Sequence, residues 1–437
     1  MKDRNENRPG YKKTKVGWIP EEWEALQVSK GCRIKHGFAF SGHLAKIDES
    51  NAPIVVGIGN FDYKGGFRFD TTPLKRCLDS YPSEFKLLPG DILLAMTCQT
   101  PGGEILGLPG IIPDKANIYL HNQRLGLLVI RKEKEFYPFF LYYVFLSSEF
   151  NHFLYVRATG TKVKHTSPST IESYILALPP FREQKKIAKV LSTWDIFIEQ
   201  TQKLIETKKS RRKALMQQLL TGEKRLHSFS RPNRKTAYRF FDLPEDWECP
   251  QIFKIAKECS RRNSAKDDLP VLACSKHLGF VESSEYFGKR VFSEDTSNYK
   301  IIMQGEFGFP SNHIEEGSIG LLKKKAACLV SPIYTVFRCN KKVVPEYLYA
   351  VFKTNTFRHI FKASTNASVD RRGSLRWKEF SLIHVPMPSL EEQKAIVEVL
   401  KTSEDEIFHF ETKLSALDKQ KRGLMQKLLT GEIRVKP

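Results

Sequence analysis

Apolar residues keep a seven-residue repeat over two long stretches of the 437-residue chain. In the first, position a is Ile187, Trp194, Thr201, Lys208 and Leu215, and position d is Leu191, Ile198, Ile205, Arg212 and Leu219. In the second, a is Ile396, Ser403, Phe410, Leu417 and Leu424, and d is Leu400, Ile407, Leu414, Lys421 and Leu428. Fifteen of these twenty positions are apolar and no proline interrupts either run. The pattern predicts two long helices with a coiled-coil seam. Thr221-Gly222 and Thr430-Gly431 supply the glycine at which each should stop. A helix from about Arg182 to Leu220 would be roughly 55–60 Å long. Such a rod needs a partner, and the nearest with the same period is the other stretch. Antiparallel pairing with one globular domain at each end is the expectation, and parallel pairing is the alternative. The polar a and d residues Thr201, Lys208, Arg212, Ser403 and Lys421 either set the register or mark fraying.

The remaining sequence reads as mixed α+β. Ala52–Ile58, Asp91–Ala95 and Leu125–Ile130 are short apolar runs bounded by Gly, Pro and Asn, as strands are. Leu269–Ala273, Glu306–Phe309 and Tyr334–Arg338 are their counterparts later in the chain. Phe136–Phe153 has a helical period, and its aromatics are expected in a core rather than stacked on bases.

These counterparts belong to a longer repetition. Glu183-Gln184-Lys185 recurs as Glu392-Gln393-Lys394, and Leu219-Leu220-Thr221-Gly222-Glu223 as Leu428-Leu429-Thr430-Gly431-Glu432, both 209 positions on. Pro138, Leu141, Tyr142, Val144, Phe145, Phe150 and His152 recur 207 positions on, from Pro345 to His359. Pro20-Glu21-Glu22-Trp23-Glu24 recurs 224 positions on as Pro244-Glu245-Asp246-Trp247-Glu248. The chain is one unit written twice, with its length changes in loops. Each copy runs from a globular segment into a helix.

Charge narrows the class of partner. Lys and Arg number 70 against 49 Asp and Glu, a formal net charge of +21, which points to a polyanion, nucleic acid first. No apolar run reaches the roughly 18 residues of a membrane span, and the charged N-terminus lacks the apolar core of a signal peptide. The eight cysteines include no C-x-x-C pair and read as reduced, buried thiols. No P-loop and no H-E-x-x-H is present, no metal site is expected, and no convincing nuclease set stands out. Where an adenine methyltransferase would carry Asn or Asp before Pro-Pro-aromatic, this chain has Leu178-Pro179-Pro180-Phe181. Two copies of a domain, neither with a reactive constellation, favour a binding role.

At these residues the chain resembles the specificity subunit of Type I restriction-modification enzymes. The likeness rests on Gly17-Trp18-Ile19-Pro20-x-x-Trp23, Leu178-Pro179-Pro180-x-x-Glu183-Gln184, and Met216–Glu223 with its twin Met425–Glu432. Pro386-Met387-Pro388 departs slightly from the Pro-Pro of the first copy. The resemblance implies target recognition domains at 15–178 and 241–386 and spacer helices at 179–222 and 387–437. A flexible N-terminal arm at 1–14 and a solvated basic linker at 223–240 complete the expected organisation. It further implies pseudo-twofold symmetry, with the antiparallel helices as a ruler between the half-sites of a bipartite duplex DNA target. The chain would be non-catalytic and hold no cofactor. Two modification subunits would dock on the helices and carry S-adenosylmethionine, and restriction subunits would bring ATP and Mg²⁺. The setting would be the cytoplasm of a bacterium or archaeon.

Loop residues of DNA-reading type are Gln99, Asn122, Gln123, Arg124, Lys162, Lys164 and His165 in the first domain. In the second they are Arg261, Arg262, Lys276, Arg290, Asn312, His313, Arg371, Arg372 and Arg376. The alternative for each is a solvated side chain. Two other functions stay open on these residues alone: a nuclease or methyltransferase with a diverged site, and a two-armed binder of RNA or single strands.

Overall fold

The structure is a computed structural model and describes residues 5–40, 44–45, 51–70, 74–100, 102–230, 234–365 and 374–435. The chain divides into two compact units, Met1–Thr201 with Lys413–Pro437, and Gln202–Thr412. Each unit therefore holds one globular segment and a part of both long helices.

In the first unit an antiparallel sheet is ordered Pro109–Ile111, Ile92–Ala95, Leu125–Ile130, Cys32–His36. Ile92–Ala95 is buried on both faces, which is why it reads as a continuous apolar run rather than an alternating one. Two helices, Pro138–Phe145 and Ser148–Tyr155, pack on this core. Proline opens the first, and Ser147 caps the second by accepting from Phe150 N–H. Phe136, Phe140, Phe145 and Phe150 are fully buried, so these rings are core and not a stacking surface.

The second unit repeats this sheet as Gly320–Leu321, Phe307–Pro310, Tyr334–Cys339, Ala256–Glu258. The register is the same. Ile130 faces Cys32 and Leu128 faces Ile34, as Cys339 faces Ala256 and Phe337 faces Glu258. The helices recur as Pro345–Phe352 and Asn355–Ser364, with Thr354 capping the latter. The sheets beyond the duplicated part differ: five short strands in the first unit, two separate two-stranded ladders in the second.

The predicted long helices span Phe181–Leu220 and Leu390–Leu429, 40 residues each. In the first unit, Ile187, Ala188 and Leu191 near the start of one helix share a core with Met425 and Leu428 near the end of the other. In the second unit, Leu219 and Leu220 at the end of one share a core with Ile396 and Leu400 at the start of the other. The segments run antiparallel in each unit, and all twenty a and d residues are buried or half-buried. The three charged ones, Lys208, Arg212 and Lys421, find acids on the opposite helix. Lys208 pairs with Glu406 and Arg212 with Glu404 at 3.2 Å. Lys421 pairs with Asp195, which also accepts from Tyr143 Oη at 2.6 Å. Pairs this open to water add about 0–1 kcal/mol each, so their contribution is to register more than to stability.

An anchor that the repeats did not reveal joins helix and globular core in each unit. Arg434 Nε and Nη2 donate to both oxygens of buried Glu183 at 2.8 and 2.9 Å, and Trp23 Nε1 donates to the same carboxylate at 3.0 Å. In the second unit Arg225 donates to Glu392 at 2.9 and 2.7 Å, and Trp247 Nε1 at 3.2 Å. Each helix thus begins under an arginine that follows the end of the other helix. Gly431 and Gly222 lie in the left-handed region, and a Cβ on either would come within 2.5 Å of Pro20 or Pro244. Gln184 and Gln393 satisfy the same buried backbone groups in both copies, accepting from Tyr137 N and Val344 N at 2.8 and 2.9 Å.

One expectation is corrected here. The N-terminal arm is not free over its described residues. Tyr11–Thr14 forms a strand on Gly17–Pro20, and Tyr11 Oη donates to Gly431 O at 2.6 Å and Arg8 Nη1 to Glu432 O at 3.0 Å. Most described residues of the basic linker are exposed, but Arg225 within it is held by Glu392 and Asp246, and exposed Lys235–Tyr238 pairs with Phe241–Pro244.

Candidate nucleic-acid interface

In the first unit three segments far apart in sequence meet at the residue after the central strand. Met96 N–H donates to Arg124 O at 3.0 Å, and Met96 O accepts from Thr166 N at 2.9 Å. Thr97–Cys98 then pairs antiparallel with Lys164–His165. Thr159 and His165 exchange two backbone hydrogen bonds around Gly160, whose φ of 91° suits glycine. This brings Gln99, Gln123, Arg124, Lys162, Lys164 and His165 to one junction, all exposed except half-buried Lys164. His165 Nδ1 lies 3.2 Å from Thr97 Oγ1, and the Lys164 ammonium stands 5.6 Å from the Tyr155 ring centre. Asn122 is half-buried. Its Oδ1 accepts from Arg124 N at 3.0 Å, which shapes the turn. Beneath the turn, His121 is 1 % exposed and donates from Nε2 to Leu125 O at 2.9 Å. Burial pushes its pKa down to about 4.

The second unit builds an equivalent junction. Leu375, which stands 209 positions after Thr166, donates its N–H to Ser311 O at 2.8 Å. His313 and Arg376 are exposed beside it, and Asn312 is half-buried with Oδ1 lacking a partner among the described residues. Arg371 and Arg372 lie outside the described residues. The other candidates stand elsewhere. Arg261 is committed to the fully buried carboxylate of Glu306, which Arg338 Nε also reaches at 3.1 Å. That hydrogen bond raises the pKa of Arg261, and reading a base would cost the pair. Arg262 Nη1 donates to Asn298 Oδ1 at 3.2 Å. Arg290 folds back on Ser293 O at 3.3 Å, and Lys276 is exposed. His313, Glu315 and Glu316 offer ligand-type atoms within 4.8 Å of one another, but His313 and Glu316 are open to solvent.

The residues that sequence reasoning missed are Arg225 and Arg434. The signal was available, because the same 209-position offset that aligns the Thr-Gly-Glu motifs aligns these two arginines.

Comparison with known proteins places this arrangement. The family described as Type I restriction modification DNA specificity domain matches twice, at residues 81–208 and 288–417. The chain belongs to that family. Each match runs out of a globular segment into a long helix, as the duplication requires. The provisionally named type I restriction enzyme MjaX specificity subunit of Methanocaldococcus jannaschii is 27% identical, over 98% of this chain and 97% of that protein. The type I restriction enzyme EcoBI specificity subunit of Escherichia coli is 23% identical over 87% and 78%. The crystal structure of the type I S subunit from M. genitalium shares the fold at a TM-score of 0.51 and 15% identity, covering 93% of this chain and 96% of that one. This specificity subunit carries two DNA-recognition domains, and recognition rather than catalysis is the family's role. The nuclease, methyltransferase and RNA-binding alternatives fall away with that membership. No described helix is long and apolar enough to cross a membrane.

Proposed function

We propose that each unit of this specificity subunit reads one half-site of a bipartite duplex through its strand-end junction. The observation that carries the reading is the repeated backbone geometry, Thr166 on Met96 and Leu375 on Ser311, with different side chains at the two places. A shared frame presenting unlike chemistry suits a target whose halves differ in sequence. Gln99, Gln123, Arg124 and His165 in the first unit, with His313 and Arg376 in the second, are of the type that bonds base edges in the major groove. Lys162 and Lys164 suit phosphate, which gives affinity and register without sequence information. Modification subunits dock on the long helices, bring S-adenosylmethionine and methylate adenine, and restriction subunits bring ATP and Mg²⁺. The test is binding by the full chain with its modification partners at defined salt. A duplex with both half-sites should bind far more tightly than one with a single half-site. Equal affinity for all duplexes refutes the reading.

A further inference from the structure

Strand Cys32–His36 leads directly into the first unit's junction. Phe38 N–H donates to His121 O at 2.9 Å, and Phe38 O accepts from Gln123 N at 2.9 Å. The two chains approach closely because residue 37 is glycine; a Cβ there would lie 2.2 Å from Asn122 O. Phe38 is therefore fixed beside exposed Gln123 and Arg124. Its ring meets Phe40 edge-on with centroids 5.1 Å apart, and Phe85 at 5.3 Å. Thirty-six per cent of the residue stays exposed. The Lys35 ammonium stands 4.8 Å from the Phe85 ring centre, so cation and apolar surface lie together.

This aromatic is no part of the duplicated scaffold. Cys32 and Ala256 hold the same register position, and the same step along the second copy reaches Arg262, whose guanidinium goes to Asn298. A preorganised ring at the recognition junction, present in one copy only, is placed to discriminate rather than to support. In the major groove an A·T pair shows adenine N6 and N7, which fit a glutamine amide, and the thymine 5-methyl, which fits an apolar surface. Gln123 and Phe38 offer these two surfaces side by side. A wedge driven between base steps needs a ring free on both faces. The Phe38 ring is flanked by two others, which suits contact with a methyl group instead.

We propose that Phe38 contacts a thymine 5-methyl group, so that the half-site read by the first unit contains an A·T pair at that place. The proposal rests on the sequence-reading function above. Its test starts from duplexes selected out of a random library by the full chain assembled with its modification partners. Thymines of the selected site are then replaced singly by deoxyuridine, which lacks only the methyl. For the wild type, one replacement should weaken binding about fourfold, the worth of burying one methyl. In Phe38→Ala the thymine and deoxyuridine duplexes should bind alike at that position, while Phe38→Leu keeps the preference. A wild-type site with no methyl-sensitive thymine overturns the proposal, and so does a Phe38→Ala profile identical to the wild type. A uniform loss in Phe38→Ala without any methyl sensitivity indicates a wedge and also overturns it. If Phe38→Ala no longer selects either half-site, Phe38→His takes its place, keeping a ring but losing the apolar edge. Failure of the wild type to select any sequence sinks the reading itself, and is thereby distinguishable from failure of the Phe38 assignment.

Discussion

Replacing Arg225 with methionine tests the anchor most directly, because an unbranched apolar stem remains and the guanidinium is lost. Glu392 has a side chain 3% exposed and Arg225 one of 11%, so the pair lies near the buried limit. Without Arg225 the carboxylate keeps one side-chain donor among the described residues, Trp247 Nε1 at 3.2 Å. Breaking a buried pair from one side costs about 3–5 kcal/mol, and replacing both partners with apolar residues is often neutral. Partly exposed Asp246 on the outer side of Arg225 puts the expectation at the low end, about 3 kcal/mol. That corresponds to roughly a hundredfold faster opening where the end of the first helix packs on the start of the second. Native-state hydrogen exchange should show it in residues 205–220 and 390–400, and not in 181–195 or 418–429. Arg225→Met with Glu392→Met should recover most of the loss. Exchange within threefold of the wild type, or a double variant no better than the single one, would refute the argument. Arg434 is more open, with a side chain 34% exposed, so Arg434→Met should cost less, about 1–2 kcal/mol.

Gly431→Ala should destabilise by about 1–3 kcal/mol in denaturant unfolding, since it combines a φ of 71° with a Cβ 2.5 Å from Pro20 Cδ; a cost below about 0.5 kcal/mol would contradict this. Buried His121 has its pKa lowered to about 4 by desolvation, against about 6.5 unfolded, so it binds fewer protons folded than unfolded between these values. Its contribution is therefore complete above about pH 6.5 and lost as pH falls towards 4, about 3 kcal/mol in all. The wild-type minus His121→Gln difference in unfolding free energy should shrink by that order over this range, and a flat difference would count against it. Half-buried Leu414→Asp places a charge in the seam and should abolish co-elution with the modification subunits on size exclusion, whereas normal co-elution argues against docking on the helices. Adding one heptad to both helices lengthens each by about 10 Å, so the preferred spacer between half-sites should grow by roughly three base pairs; an unchanged spacer refutes the ruler.

What was legible in the sequence is what repeats at helical period or at a fixed offset. The long helices, the strand cores and the paired Phe-rich helices follow from local pattern, and local pattern is all that sequence reasoning uses. Glu183 and Gln184 were visible as a repeated motif, but their roles were not. Both act on groups more than forty residues away or on the other copy, and neither periodicity nor propensity carries that information. Arg225 was lost for a different reason. Lying in a stretch rich in Lys, Arg and Ser, it resembled its solvated neighbours, and only the buried carboxylate of Glu392 distinguishes it. The same blindness misplaced Arg261, an excellent DNA-reading side chain by type and a partner of buried Glu306 by position.

Duplication itself separates scaffold from reader. Where both copies hold the same chemistry at the same register, the residue supports the fold: Trp23 and Trp247, Glu183 and Glu392, Gln184 and Gln393, Arg434 and Arg225 each make the same hydrogen bonds. Where the backbone position is shared and the chemistry differs, the fold does not dictate the side chain. Arg124 against Ile333 is of this second kind: each carbonyl accepts from the residue after its central strand, Met96 at 3.0 Å and Ser311 at 3.5 Å, and both side chains are exposed. A reader of two unlike half-sites requires that division, because a frame free to vary would misplace every contact and a surface forced to repeat would read the same sequence twice. Exchanging chemistry at such positions should therefore change which bases are read without changing stability. Exchanging it at the anchors should do the reverse.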